Sequence, residues 1–356
     1  MELSAAKRRE IIQSIVNTVQ DYRADAITFD NNHVERWVKQ FDESVQNVLL
    51  IEMEHVLKQY YVNYNTACEH LKEIMEHKDL CDWDGQGSFS NVKLLNIQRN
   101  GNSQKELLSI FNDLMTEKYG VGIEKTGDKP LKYIYLDDCL FSGNTAIYDI
   151  IDWLPNAEPN TELHFVFLAI YTNGSRYVSR RLASELKKKN ISVKFWRIHE
   201  LNNIPWEGGS FDCCWPSQLE GNPQLDLFIE DINKRCEGKD FQPRIFKNRA
   251  FREEKIFTCS EHRIIVEKAL LDAGVKIRNF SDSPKHEMRP LGYEKLESLG
   301  FGAMFFTFRN VANNCPLAIW WGDPEADDNH PLARWYPLLQ RKVNSEVLDF
   351  SFLFSN

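Results

Sequence analysis

Tyr133-Ile134-Tyr135-Leu136-Asp137-Asp138-Cys139-Leu140-Phe141-Ser142-Gly143-Asn144-Thr145 is the stretch whose reading decides the fold. Four apolar β-formers lead into two acids and then a Ser-Gly-x-Thr turn. Ala146 to Leu154 follows with Ile147, Ile150, Ile151 and Leu154 at helical spacing. An open α/β sheet builds a phosphate site in this way: a buried strand delivers carboxylates to its carboxyl end, and a glycine-bearing loop opens a helix. The loop's N–H groups and the helix N-terminus make a positive cradle. Ser142 and Thr145 add hydroxyl donors, and Gly143 permits close backbone approach. The plainer alternative is a strand–turn–helix with solvated acids and Ser142 as a helix cap.

Working outward, the 356 residues suffice for one large domain or two ordinary ones. A 42% hydrophobic and 12% aromatic content implies a substantial core and argues against disorder. The net charge of -9 argues against a general polyanion-coating surface, although a local basic groove is compatible with it. No apolar run approaches the roughly 20 residues that span a bilayer, and Met1 to Arg9 carries no signal-peptide core. The expected location is the cytoplasm, with no membrane partner. The eight cysteines form no C-x-x-C pair and read as free thiols rather than a zinc site or disulfide framework.

Ala5–Tyr22 reads as an amphipathic helix, a second runs from about His33 to Gln59 behind an Asp30-Asn31-Asn32 cap, and a third covers Asn65–His77. Asp84–Ser88 marks a turn-rich boundary. A strand at Val92–Ile97, a polar glycine loop and a helix at Lys105–Lys118 form a second strand–loop–helix unit directly before the two acids. Thr161–Tyr171 and Ile191–Ile198 read as further strands around a basic helix that follows a Thr172–Ser175 turn. Strands alternating with helices give a doubly wound parallel sheet whose loops open on one edge. Beyond it, a capped helix from Ser260 to Asp272 stops at Gly274, with strands at Val275–Phe280 and Ala303–Arg309 and a short helix ending at Leu299. The segmentation expected is 1–84, an N-terminal helical region; 85–255, an α/β core; and 256–356, an extension that completes the core.

The Asp137-Asp138 stretch resembles the phosphoribosyl-diphosphate (PRPP) motif of type I phosphoribosyltransferases: apolar residues, two acids, three variable positions, then Thr/Ser-Gly-x-Thr. The resemblance implies that Asp137 and Asp138 hold the ribose hydroxyls while Ser142, Gly143, Asn144 and Thr145 hold the 5′-phosphate. It also implies that Gln98, Gly101, Asn102, Ser103 and Gln104 form the loop for the pyrophosphate leaving group. From Trp37 to Gly322 the chain further resembles the phosphoribosyltransferase-like effectors of bacterial conflict and antiphage systems, retron-associated members included. The carrying pieces are Arg36–Phe41, Asn96–Gln98, Gly101–Glu106, Arg289–Tyr293, Gly300–Gly302 and Arg309-Asn310 with Asn313–Leu317. That resemblance implies a type I phosphoribosyltransferase-like fold and a defence role as a toxic or nucleotide-modifying effector. It also implies defence-system partners such as a reverse transcriptase with its nucleic acid. One departure stands out. Purine-salvage members place an aspartate general base immediately before the Thr-Gly, and here Phe141 stands near that place.

Ribosyl transfer passes through an oxocarbenium-like centre, so the site must hold ribose rigidly and neutralise pyrophosphate. Mg²⁺, an oxygen-seeking ion, is the expected cofactor, touched by Asp137 and Asp138 directly or through water. Arg309, Asn310, Asn313 and Asn314 are read as a closing loop, or else as residues that fix a packed turn. Two functions follow: a phosphoribosyltransferase or nucleotide N-glycosidase acting on PRPP or a nucleotide, or a catalytically inactive nucleotide-sensing or protein-binding module. The sequence fixes neither the acceptor nor the oligomeric state.

Overall fold

A computed structural model describes residues 3–80, 89–99, 101–217, 221–247 and 251–342. The expected boundary at Asp84–Ser88 lies outside the described residues, as does Cys81. The chain divides into two compact units, one of residues 1–63 with 205–356 and the other of residues 64–204.

The first unit opens with α1 (Ala5–Thr18), α2 (Asn31–Val38), α3 (Glu43–Tyr60) and the short strand β1 (Tyr61–Val62). Ser4 caps α1 and Asp30 caps α2, each side chain accepting an N–H from the first turn. The sequence reading ran α2 and α3 together. Trp37, Val38, Phe41, Val45 and Val48 keep a helical rhythm straight through, but the helix stops at Lys39 and restarts after Asp42. Gln46 fixes that turn by donating to the Phe41 carbonyl at 2.9 Å.

The second unit contains α4 (Tyr64–Glu76), β2 (Val92–Leu95), α5 (Ser103–Tyr119), β3 (Lys132–Leu140), α6 (Asn144–Trp153), β4 (Glu162–Tyr171), α7 (Thr172–Lys188) and β5 (Ser192–Leu201). The strands form one parallel sheet in the order β2-β3-β4-β5, with Tyr135 level with Leu95 and Phe165. This is the mixed α/β fold with a parallel, helix-flanked sheet that the sequence implied. The described strands follow one another without the order reversal of a doubly wound sheet. Tyr135, Phe165 and Phe167 form a buried core with Ile147 and Ile150 of α6 and Val178 and Leu182 of α7. At about 25 cal/mol per Å² of apolar surface, that core is the main force holding the sheet to α6 and α7. The expected Thr172–Ser175 turn is absent: α7 begins at the residue after β4 ends.

The first unit resumes with α8 (Pro223–Cys236), α9 (Ser260–Arg278), β6 (Phe306–Thr307) and α10 (Leu317–Trp320). Helix α9 runs through Gly274, so no strand exists at Val275–Phe280. A Cβ at Gly274 would lie 2.3 Å from the Pro290 carbonyl oxygen; this glycine admits a neighbouring backbone rather than ending a helix. The expected strand at Ala303–Arg309 shrinks to β6, paired in parallel with β1, and no helix forms before Leu299. Cys68, Cys139, Cys213, Cys214, Cys236, Cys259 and Cys315 are free thiols. Among the described residues, no helix is long and apolar enough to cross a membrane.

Candidate functional site

Because β2, β3, β4 and β5 are parallel, the segments after them emerge on one edge of the sheet. β3 continues through the acid pair to Leu140, so Asp137 and Asp138 sit on regular strand backbone rather than in a loop. Asp137 is buried and Asp138 half-buried. Each carboxylate accepts from the next amide: Asp137 Oδ1 from Asp138 N and Asp138 Oδ1 from Cys139 N, both at 2.8 Å.

The loop from Asn96 to Asn102 is laced to this strand by two glutamines. Gln104 is fully buried; its Oε1 accepts from the N–H of Ile97 at 2.6 Å and of Gln98 at 2.9 Å, and its Nε2 donates to the Leu136 carbonyl at 3.2 Å. Gln98 Nε2 donates to Asp137 Oδ2 at 3.1 Å and to Ser103 Oγ at 2.9 Å. The two loops of the expected site are therefore brought together, with Gln98 touching the acid pair. Gly101, at φ +104, and Asn102 remain exposed at the loop's tip. Gln104, by contrast, has its amide engaged by backbone.

After Leu140 the chain turns through Phe141, Ser142 and Gly143 into α6. Gly143 is the N-cap, left-handed at φ +81, and no side chain caps the helix. Ser142 therefore does not play the capping role of the plainer alternative. Its Oγ accepts from Asn144 Nδ2 at 3.2 Å, and Ser142 and Thr145 are exposed. The opening N–H groups of α6 have no intrahelical partners and carry the positive end of the helix dipole. Exposed hydroxyls, uncapped amides and a carboxylate pair thus occupy one rim, an arrangement suited to an anionic ribose derivative.

Three features escaped the sequence reading. Asp149, on α6, is buried at 3% exposure; it accepts from the Tyr135 hydroxyl at 2.9 Å and the Arg99 N–H at 3.3 Å. Burial lifts its carboxyl above the ordinary carboxylate range, against those two hydrogen bonds. Arg99 also pairs with Asp152 at 2.6 Å, so α6 anchors the 96–102 loop from outside. Asp149 falls between the apolar positions Ile147 and Ile150, and that break in the stripe was the available signal. The second feature is Gly174. A Cβ there would lie 2.0 Å from the Phe141 carbonyl oxygen, and one at Gly143 would lie 2.5 Å from Val178 Cγ2. Both glycines let α7 press against the phosphate-type turn. The third is the Asn202-Asn203 pair after β5, whose side chains accept from Thr172 Oγ1 at 3.2 Å and from Asn173 N at 2.9 Å, fixing the start of α7.

Phe141 stacks on Tyr171, with ring centroids 5.6 Å apart. Arg309, Asn310, Asn313 and Asn314 belong to the first unit. Asn310 Oδ1 accepts from Val311 N at 3.0 Å and Lys342 N at 2.9 Å, and its Nδ2 donates to the Lys342 carbonyl. Asn314 Nδ2 donates to the Tyr293 carbonyl at 2.9 Å, and the Asn313 carbonyl accepts from Tyr293 N at 2.8 Å. These residues close turns on their own backbone.

The PRTase-CE family model matches residues 34–341, and the chain belongs to that family of phosphoribosyltransferase-like proteins. No curated protein matches the chain. One solved structure, from a study of the catalytic mechanism of CD38, matches at 14% identity over 55% of this chain and 93% of that one. Its TM-score of 0.18 carries no argument about this fold.

Proposed function

We propose that the protein binds a 5-phosphoribosyl compound or nucleotide at the β3–α6 rim and acts there on the glycosidic carbon, as an effector of bacterial antiphage defence. The observation that carries this reading is the meeting of three groups: the Asp137-Asp138 carboxylates, the uncapped N-terminus of α6 and, through Gln98, the 96–102 loop. The acids engage the ribose hydroxyls, the Ser142–Thr145 turn takes the 5′-phosphate, and Gly101, Asn102 and Ser103 face the leaving group. Two adjacent carboxylates suit Mg²⁺, which binds one or two protein carboxylates and completes its shell with water and substrate phosphates. When bound, the ion offsets charge on the departing diphosphate. The protein's own part is to hold ribose and phosphate rigidly, which lowers the entropic barrier to transfer or hydrolysis. A reverse transcriptase with its nucleic acid is the kind of partner that would couple this chemistry to infection.

A second reading has one observation in its favour. Phe141, stacked on Tyr171, cannot accept a proton, so hypoxanthine- or guanine-type transfer through that position is excluded. A nucleotide sensor without chemistry would use the same cradle.

Incubation with PRPP or a nucleotide mixture and Mg²⁺ separates the two. Release of pyrophosphate or free base, lost in Asp137→Asn/Asp138→Asn, supports the enzyme. Calorimetric binding without turnover of any nucleotide supports the sensor.

A further inference from the structure

A basic groove lies on the sheet unit, apart from the acid pair. Between α7 and β5, two adjoining hollows of about 610 Å³ and 540 Å³ share Ser179, making one channel along the helix. Its floor is apolar: Ile170, Phe195, Val193, Ile191 and Leu186. Arg176, Arg180 and Lys187 fall within one narrow stripe of α7, and all three line the channel and are exposed. Arg197 lines the opposite wall beside Glu200, with which it is ion-paired. From Thr172 to Leu201 the chain carries eight Lys or Arg against two Glu, in a protein whose net charge is -9. Some of this charge is spent locally: Lys188 pairs with Glu185 and Lys194 with Glu162. Arg180 and Lys187 have no ion pair among the described residues.

We propose that this channel binds the phosphate backbone of a single-stranded nucleic acid. A cationic groove tracks a strand's phosphates, and an aromatic floor residue, here the half-buried Phe195, offers a face on which a base stacks. Two features favour a nucleic acid over an added peptide strand. The charges lie on the helix wall, at phosphate-contacting positions, rather than on the strand. And β5, the sheet's edge strand, carries Lys194, Arg197 and Glu200 outward, the charged pattern that discourages strand addition. The overall acidity adds selectivity, since the rest of the surface repels a polyanion that the channel attracts. This inference does not depend on ribosyl chemistry at the β3–α6 rim.

The test is fluorescence anisotropy of the full chain with a labelled oligo-dT or oligo-U of about 20 nucleotides, titrated between about 50 and about 200 mM salt. Binding that weakens linearly in log–log form as salt rises is expected. Arg180→Glu/Lys187→Glu should weaken it at least about tenfold, and Arg180→Gln/Lys187→Gln should make the salt slope shallower by about 2. Both variants should keep the wild-type melting curve, and Arg9→Glu, on the exposed face of α1, should bind as wild type. The assignment is overturned if no binding occurs at about 50 mM salt, or if the channel variants bind as well as Arg9→Glu. Displacement of the strand by polyglutamate at equal charge concentration would also overturn it, pointing instead to an acidic protein.

Discussion

The turn at Ser142–Thr145 and the turn at Arg309–Asn314 have much the same polar composition, yet their side chains do different work. At 309–314 the asparagine amides are consumed by the protein: Asn310 serves Val311 and Lys342, and Asn314 serves the Tyr293 carbonyl. At 142–145 the hydroxyls are exposed and the helix that follows has no side-chain cap. A buried amide that satisfies backbone is architecture, because removing it strands donors and acceptors away from water. A helix end left open on a sheet rim is an anion site held ready. Hydrogen-bond accounting, rather than residue type, separates the two.

The sharpest challenge to this contrast lies behind the 142–145 turn. Gly174→Ala forces a Cβ into the Phe141 carbonyl, so denaturant unfolding should show a loss of roughly 3 kcal/mol, and ligand binding should fall with it. Acid should act on the same unit with similar strength. Burial lowers His70 to about 4 and also lowers His164 and His199. Folding that favours neutral imidazole is fully stabilising above the unfolded pKa of about 6.5 and loses that stabilisation as pH falls toward 4. Melting scans across that window should show the loss, on the order of 3 kcal/mol for His70, and His70→Phe should flatten it. Asp149→Ala, which orphans the buried Tyr135 hydroxyl, should cost about 2 kcal/mol and increase amide exchange across residues 96–102. The smallest effect belongs to the other turn: Asn310→Ala should cost about 1 kcal/mol and leave nucleotide affinity unchanged. A large drop in affinity there would instead give 309–314 a direct role in binding.

What was legible in the sequence followed from periodicity. β3, α6, β4, α5 and β5 lie where apolar alternation and helical stripes put them, and the acid pair and its turn emerge together on the rim. The failures came from long-range packing. Gly274 read as a stop, but only Pro290, sixteen positions on, explains it. The Trp37–Val48 stripe hid the break between α2 and α3, because both helices bury the same face. Ala303–Arg309 has strand composition but finds only the two residues of β1 to pair with. Within the site, Gln104 had the right residue type for a ligand contact, and only its three hydrogen bonds reveal a lacing role.

The most direct test of the central claim is isothermal titration of PRPP with Mg²⁺ into wild type and Asp137→Asn/Asp138→Asn. The account predicts saturable one-site binding by the wild type, weakened at least about a hundredfold in the double variant, since each lost charge-assisted hydrogen bond costs about 1.5–3 kcal/mol. Equal affinity in the two proteins, with both folded, would contradict it.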